Sequence, residues 1–121
     1  MIQHKIVKAY ETTQELVENK DLTINAKWEL FKLRKELLSC YEFYINESRD
    51  LLSKYKTEVN GNTISFESET LAKDYKVKQD EIDNFDVDKI FEKINLKLSD
   101  IPGITIPQME KLDEFIEFTP E

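Results

Sequence analysis

Apolar residues recur at sevenfold spacing through the middle of the chain, at Leu30, Leu37, Tyr44 and Leu51 and again at Phe31, Leu38, Ile45 and Leu52. Seven residues are nearly two helical turns, so each set forms a column and the two columns lie side by side on one helix. Tyr41 and Tyr55 widen the stripe, while Lys32, Lys35, Glu36, Glu42, Glu47 and Asp50 fall largely off it. The pattern predicts a long amphipathic helix over 25–56, with Thr23 or Asn25 as its cap and a turn after it in "VNGN", where Gly61 is free to take positive φ. Such a helix is about 50 Å long at 1.5 Å per residue, so another helix or a second chain is needed to cover its stripe.

The flanking segments are less regular. "HKIVKAYETTQELVENK" suits a short strand or extended stretch and then a helix with Leu16 and Val17 turned inward. "TISF", residues 63–66, alternates like a strand. "SETLAKDYKVKQDEIDNF" has helical spacing at Leu71, Tyr75, Ile82 and Phe85 behind a Ser68 cap. In "VDKIFEKINLKL" the parity of Ile90, Ile94, Leu96 and Leu98 suits a half-buried strand over its later part. A turn at Pro102 and Gly103 then leads to a final helix starting near Pro107. The expected fold is α+β and mainly helical, one long amphipathic central helix packed with shorter helices and a small strand element. It forms a single domain over 1–121, made of a leading segment and short helix (1–22), the long helix (23–57) and an acidic turn, strand and helix region (58–121).

Charge changes the picture more than composition does. The chain of 121 residues has a net charge of −8. Residues 1–57 carry ten Lys and Arg against nine Asp and Glu, and 58–121 carry seven against sixteen, so the second half holds the acidity. Phosphate binding rests on Lys and Arg displacing counterions, so direct nucleic-acid binding is not expected. The segment "MIQHKIVKAYETTQ" has charges inside its only apolar stretch, where neither a signal peptide nor a membrane span is expected. The expected location is the cytoplasm.

Candidate chemistry is thin. "DEIDNFDVDKIF" places Asp80, Glu81, Asp83, Asp86 and Asp88 within nine residues. A calcium loop needs oxygen ligands at alternating positions and a glycine at its sharp turn, whereas here Phe85 or Ile90 falls on a ligand position and no glycine is present. Capping by Asp83 or Asp86 and solvent exposure of Asp80, Glu81 and Asp88 are the expected roles, and no metal or other cofactor is expected. One cysteine, Cys40, and one histidine, His4, offer neither a disulfide framework nor a zinc cluster. Only Gly61 and Gly103 are present, too few for a phosphate-cradling loop. Trp28, Phe31, Tyr41, Phe43, Tyr44 and Tyr55 lack an evident basic groove beside them and read as core and interface aromatics rather than a base-stacking platform. An enzyme is not expected.

The order of parts carries a resemblance. The leading segment, the "LFKLRKELLSCYEFYINESRDLLSKY" helix, the "VNGNTISF" turn and the closing "DVDKIFEKINLKLSDIPGITIPQMEKLDEFIEF" resemble small proteins encoded by phages and prophages of low-GC bacteria. In that group the closing piece has an extended "INL…L" cadence, then a turn and a short acidic helix. Ile94, Asn95, Leu96 and Leu98, followed by Ile106, Leu112 and Ile116, occupy those places here. The resemblance implies origin, a bacterial host cytoplasm and architecture. The group has no motif of known chemistry, so no catalytic residue is implied.

Two classes of function follow. One is a non-catalytic protein-binding module of inhibitor or nucleic-acid-mimic type, acting on a host or defence protein through an acidic surface of Asp80, Glu81, Asp83, Asp86, Asp88, Glu110, Asp113, Glu114 and Glu117. The other is a structural or assembly component of a phage particle. Its long helix would bury Leu30, Phe31, Leu37, Leu38, Tyr44, Ile45, Leu51 and Leu52 against a virion protein or a second copy, most simply as a homodimer.

Overall fold

The structure, a computed structural model, describes residues 1–55, 58–60 and 63–120. It is a mainly helical α+β fold built around one long helix. In chain order the elements are α1 (Gln3–Val17), α2 (Ile24–Lys54), β1 (Glu58–Asn60), β2 (Thr63–Ser65), α3 (Glu69–Asp83), β3 (Ile94–Lys97), a single 3-10 turn (Leu98–Asp100), α4 (Ile106–Leu112) and β4 (Ile116–Thr119). β1 and β2 form an antiparallel pair, and β3 and β4 a parallel one with Ile94 opposite Ile116 and Leu96 opposite Phe118.

Packing separates the two sevenfold columns of α2. Adjacent residues on a helix point about 100° apart, so only one column can aim at the centre of a small core. Leu30 and Leu37 are fully buried, Leu51 nearly so and Tyr44 half-buried. Ala26 and Leu33 join that face. Against it pack Ile6, Ala9 and Leu16 of α1, and from the other side Leu96, Ile101, Leu112, Phe115 and Ile116. Phe31 and Leu38 stay exposed, with Ile45 and Leu52 half-buried.

Caps fix the helix starts. Thr23, not Asn25, caps α2, its hydroxyl accepting from the Ala26 amide at 3.2 Å. Ser68 does the same for α3 through the Leu71 amide. At α4, Thr105 and Gln108 close a reciprocal capping box, with Pro107 in the first turn where its missing N–H costs nothing. Gly103, at φ 83°, turns the chain after Pro102. Replacing Thr23 by alanine is expected to cost about 1 kcal/mol, read as a lower melting temperature with an unchanged helical spectrum.

Three segments differ from the sequence expectation. The leading segment is helical from Gln3 rather than a strand, because Ile6, Ala9, Thr13 and Leu16 repeat at helical spacing and are all buried. Only Ile2 keeps strand character, in an isolated antiparallel bridge to Asp86. The final helix stops at Leu112, and Ile116 and Phe118 run on as β4, where pairing with β3 satisfies backbone groups that a longer helix would have left beside an unpaired strand. The pairing of β1 with β2 was not anticipated. The turn assigned to Gly61 lies outside the described residues.

Candidate functional site

The acidic residues fall on several elements: the end of α3 and the segment after it, α4 and its end, and β4. Asp80 and Glu81 are exposed on the last turn of α3, and Asp88 is exposed in the segment beyond. Asp83 is half-buried and takes a 3.1 Å hydrogen bond from Gln79 Nε2, which also donates to Ser48 Oγ at 3.2 Å and more distantly to the Tyr44 hydroxyl. Asp86 is tied to the first residues of the chain. The Met1 nitrogen reaches its carboxylate at 2.7 Å, and the Gln3 amide donates to the Phe85 carbonyl at 2.9 Å.

Glu110, Asp113 and Glu114 line a cleft at the start of α1 together with Lys5, Lys8, Lys111 and, from the end of α3, Asn84. Lys5 Nζ donates to Glu114 at 2.9 Å, and that bond holds the Lys5 pKa above its ordinary value. Glu117 is exposed on β4. Cations are thus interleaved with the second acidic group, and the first is partly consumed by internal contacts. No three His, Cys, Asp or Glu residues among the described ones come together as a metal-holding group. His4 faces the same mixed cleft, and Cys40 is half-buried in a separate small pocket with Gln3, Phe43 and Phe85.

Tyr44 senses the α2–α3 contact. Burial pushes its pKa up to about 12, and the neighbouring Asp83 carboxylate adds to the effect. A tyrosine whose folded pKa exceeds the ordinary 10.0 stabilises the fold fully below pH 10, and that contribution is lost as pH rises towards 12. Tyr44→Phe is therefore expected to flatten the loss of melting temperature between pH 10 and 12 and to remove the latest step of a tyrosinate absorbance titration. An unchanged late step would place the shifted hydroxyl elsewhere.

A different surface carries an unpartnered apolar area. α1 and α2 pack side by side, and each presents a sevenfold pair on the outer margin of their contact: Tyr10 and Val17 from α1, Phe31 and Leu38 from α2. Together they line a groove of about 550 Å³ with Lys27, Arg34 and Lys35. Phe31 is 56% exposed and Leu38 38%. Trp28, 57% exposed, stacks on Phe31 at 5.7 Å between ring centres. Arg34 is fixed in place: its guanidinium lies 5.0 Å from the Tyr10 ring centre and donates to the Tyr10 hydroxyl and to Gln14, and Tyr10 stacks on Tyr41 at 4.3 Å.

No known protein family, curated protein or solved structure matches the chain. The site therefore has to be judged on its own chemistry.

The groove combines residues the sequence reading kept apart. Phe31 and Leu38 are among the self-association positions, Val17 is expected to turn inward and Lys35 to fall off the stripe, and Lys27, Arg34 and Tyr10 carry no expected role; Val17 is in fact half-buried at the groove. Basic residues flank Trp28 and Phe31 in the sequence, but only the fold shows which of them, Lys27, Arg34 and Lys35, line a groove with Phe31. The available signal was a coincidence of spacing, because Tyr10 and Val17 repeat the seven-residue interval of Phe31 and Leu38. Lys27 with Arg34 keeps the same interval beside them. What the sequence lacked was the register of α1 on α2, which brings the pairs together.

Proposed function

We propose that this chain is a non-catalytic protein-binding module, encoded by a phage or another mobile element and acting on a host or defence protein in the bacterial cytoplasm. The observation that carries the reading is the α1–α2 groove, where Phe31 and Leu38, with Trp28 stacked on Phe31 beside it, stay in water while Leu30, Leu33 and Leu37 fill the core. Exposed aromatic and apolar side chains grouped with an arginine are the usual composition of a contact centre, with the lysines suited to its polar rim. The exposed acidic residues Asp80, Glu81 and Asp88 contribute negative charge that steers encounter more than it holds a partner. A self-association role in a phage particle is the rival reading, supported by the same column continuing along α2 through Ile45 and Leu52.

Affinity capture from host lysate with parallel variants tests the assignment. Phe31→Ser with Leu38→Ser is expected to abolish retention of a specific protein. Asp80→Asn, Glu81→Gln and Asp83→Asn together are expected to weaken retention and reduce its salt dependence. Retention unchanged by the first pair would remove the groove as the contact face, and homodimers in place of a captured protein would favour the assembly role.

A further inference from the structure

On this protein-binding reading, the groove's shape and charge narrow what it holds. We propose that it is a docking site for an amphipathic helix whose apolar stripe is flanked by Asp or Glu. Tyr10 with Val17 and Phe31 with Leu38 form two rows, each spanning about 10 Å along its helix at 1.5 Å per residue. That is the separation of residues i and i+7 on a docked helix, the interval by which apolar anchors enter a groove of this kind.

Charge selects the flank. The chain has 25 acidic residues against 17 basic ones, yet three cations and no carboxylate line this groove. Among the described residues, neither Lys27, Arg34 nor Lys35 has a carboxylate within ion-pair distance. Arg34 is held by Tyr10 and Gln14, so its charge is presented without further ordering, while Lys27 and Lys35 are exposed and free to close on carboxylates beside the stripe.

Two other occupants fit less well. A second copy meeting this face with its own by two-fold symmetry sets the Lys27, Arg34 and Lys35 cluster against itself. The copy's most acidic exposed helix, α3, presents Val77 as its only exposed large apolar side chain, too little to fill a groove lined by Phe31, Leu38, Tyr10 and Val17. A single nucleic-acid strand would find Trp28 and Phe31 to stack on. It would also meet Val17 and Leu38 where phosphate contacts are needed, on a chain of net charge −8.

Trp28 makes the test direct, since it is the sole tryptophan and stacks on a groove residue. The probes are two synthetic helical peptides with leucine at i, i+3, i+4 and i+7, one flanked by glutamate and the other by lysine, and an oligo-dT strand. The glutamate peptide is expected to shift Trp28 emission to the blue saturably and to bind at least about tenfold more tightly than the lysine peptide. The doubly reversed protein, Lys27→Glu with Lys35→Glu, is expected to invert that preference while keeping its circular dichroism and melting temperature, because both lysines are exposed. Equal binding of the two peptides, displacement of the glutamate peptide by oligo-dT, or a blue shift that grows with protein concentration alone and tracks a dimer in sedimentation would each overturn the proposal. If neither peptide binds while lysate capture still depends on Phe31 and Leu38, the docking helix is refuted and the protein-binding reading survives.

Discussion

Leu37→Asp should lower stability by about 4 kcal/mol or more, whereas Leu38→Asp should shift it by no more than about 1 kcal/mol. The two side chains are neighbours in sequence with the same chemistry, and they differ in where the helix points them. Leu37 has no exposed surface and sits in the core with Ile6, Leu33 and Leu96. A carboxylate there loses about 2 kcal/mol of apolar burial and in addition is an unpaired charge out of water, a combined cost of about 4 kcal/mol or more. Domains of this size are stable by about 5–15 kcal/mol, so a large share of the margin is consumed. Leu38 borders the open groove, and a carboxylate there remains hydrated. Urea titrations of the two variants decide it. Comparable midpoints would mean that α2 is rotated by about a quarter-turn from the orientation described here. Glu42→Lys, on the exposed side, should stay within about 0.5 kcal/mol of the parent.

That contrast also marks how far periodicity alone carries. Sevenfold spacing locates α2 and its caps to within about two residues, because every turn repeats the same signal and Thr23 supplies a chemical start. It cannot rank two adjacent columns of equal hydrophobicity. The choice between Leu30/Leu37 and Phe31/Leu38 is made by α1, whose buried face of Ile6, Ala9, Thr13 and Leu16 meets one column and leaves the other at the margin. The leading segment was misjudged for a related reason. Its helical face includes Gln3, Thr12 and Thr13, which are polar by composition and buried in fact. The Thr12 and Thr13 hydroxyls donate back to the Lys8 and Tyr10 carbonyls at 2.7 Å, and Gln3 Nε2 donates to the Ile82 carbonyl at 3.0 Å. Such hydrogen bonds offset the burial of both threonines and of the Gln3 Nε2 group, while Gln3 Oε1 is buried without a partner among the described residues, and no hydropathy pattern announces any of this.

The acidic stretch was legible as exposed but not as a surface. Lys5 and Lys8, which share a cleft with Glu110, Asp113 and Glu114, come from α1 at the other end of the sequence, so that pairing is not visible in the acidic segments themselves. Ile90 is a further case. Parity placed it with Ile94 and Leu96 on a strand face, yet it is 91% exposed, because β3 begins only at Ile94 where β4 is available to pair. Strand pairing is a tertiary decision, and the short alternating run could not fix its own start.

The β3–β4 pair supplies the second large effect. Phe115 is 1% exposed, and its ring meets Phe91 edge-on at 5.5 Å between centres. Its backbone carbonyl accepts from the Ile94 amide at 3.0 Å and its amide donates to Leu112, so one residue joins the end of α4 to the start of the parallel pair. Phe115→Ala is expected to cost about 3–5 kcal/mol, since the ring fills space bounded by Leu96, Leu112 and Ile116 that the backbone on both sides keeps from collapsing. Phe91→Ala, at a half-buried position outside any strand, should cost less, and a double-mutant cycle of the two should give a coupling of about 0.5–1.5 kcal/mol from the edge-on contact. Amide exchange adds a spatial readout: in Phe115→Ala, protection of Ile94–Lys97 should fall more than that of α2, because the strand pair loses its anchor while the α1–α2 contact is intact. A loss below about 1 kcal/mol, or uniform loss of protection across α2 and β3, would show that Phe115 does not hold this corner of the fold.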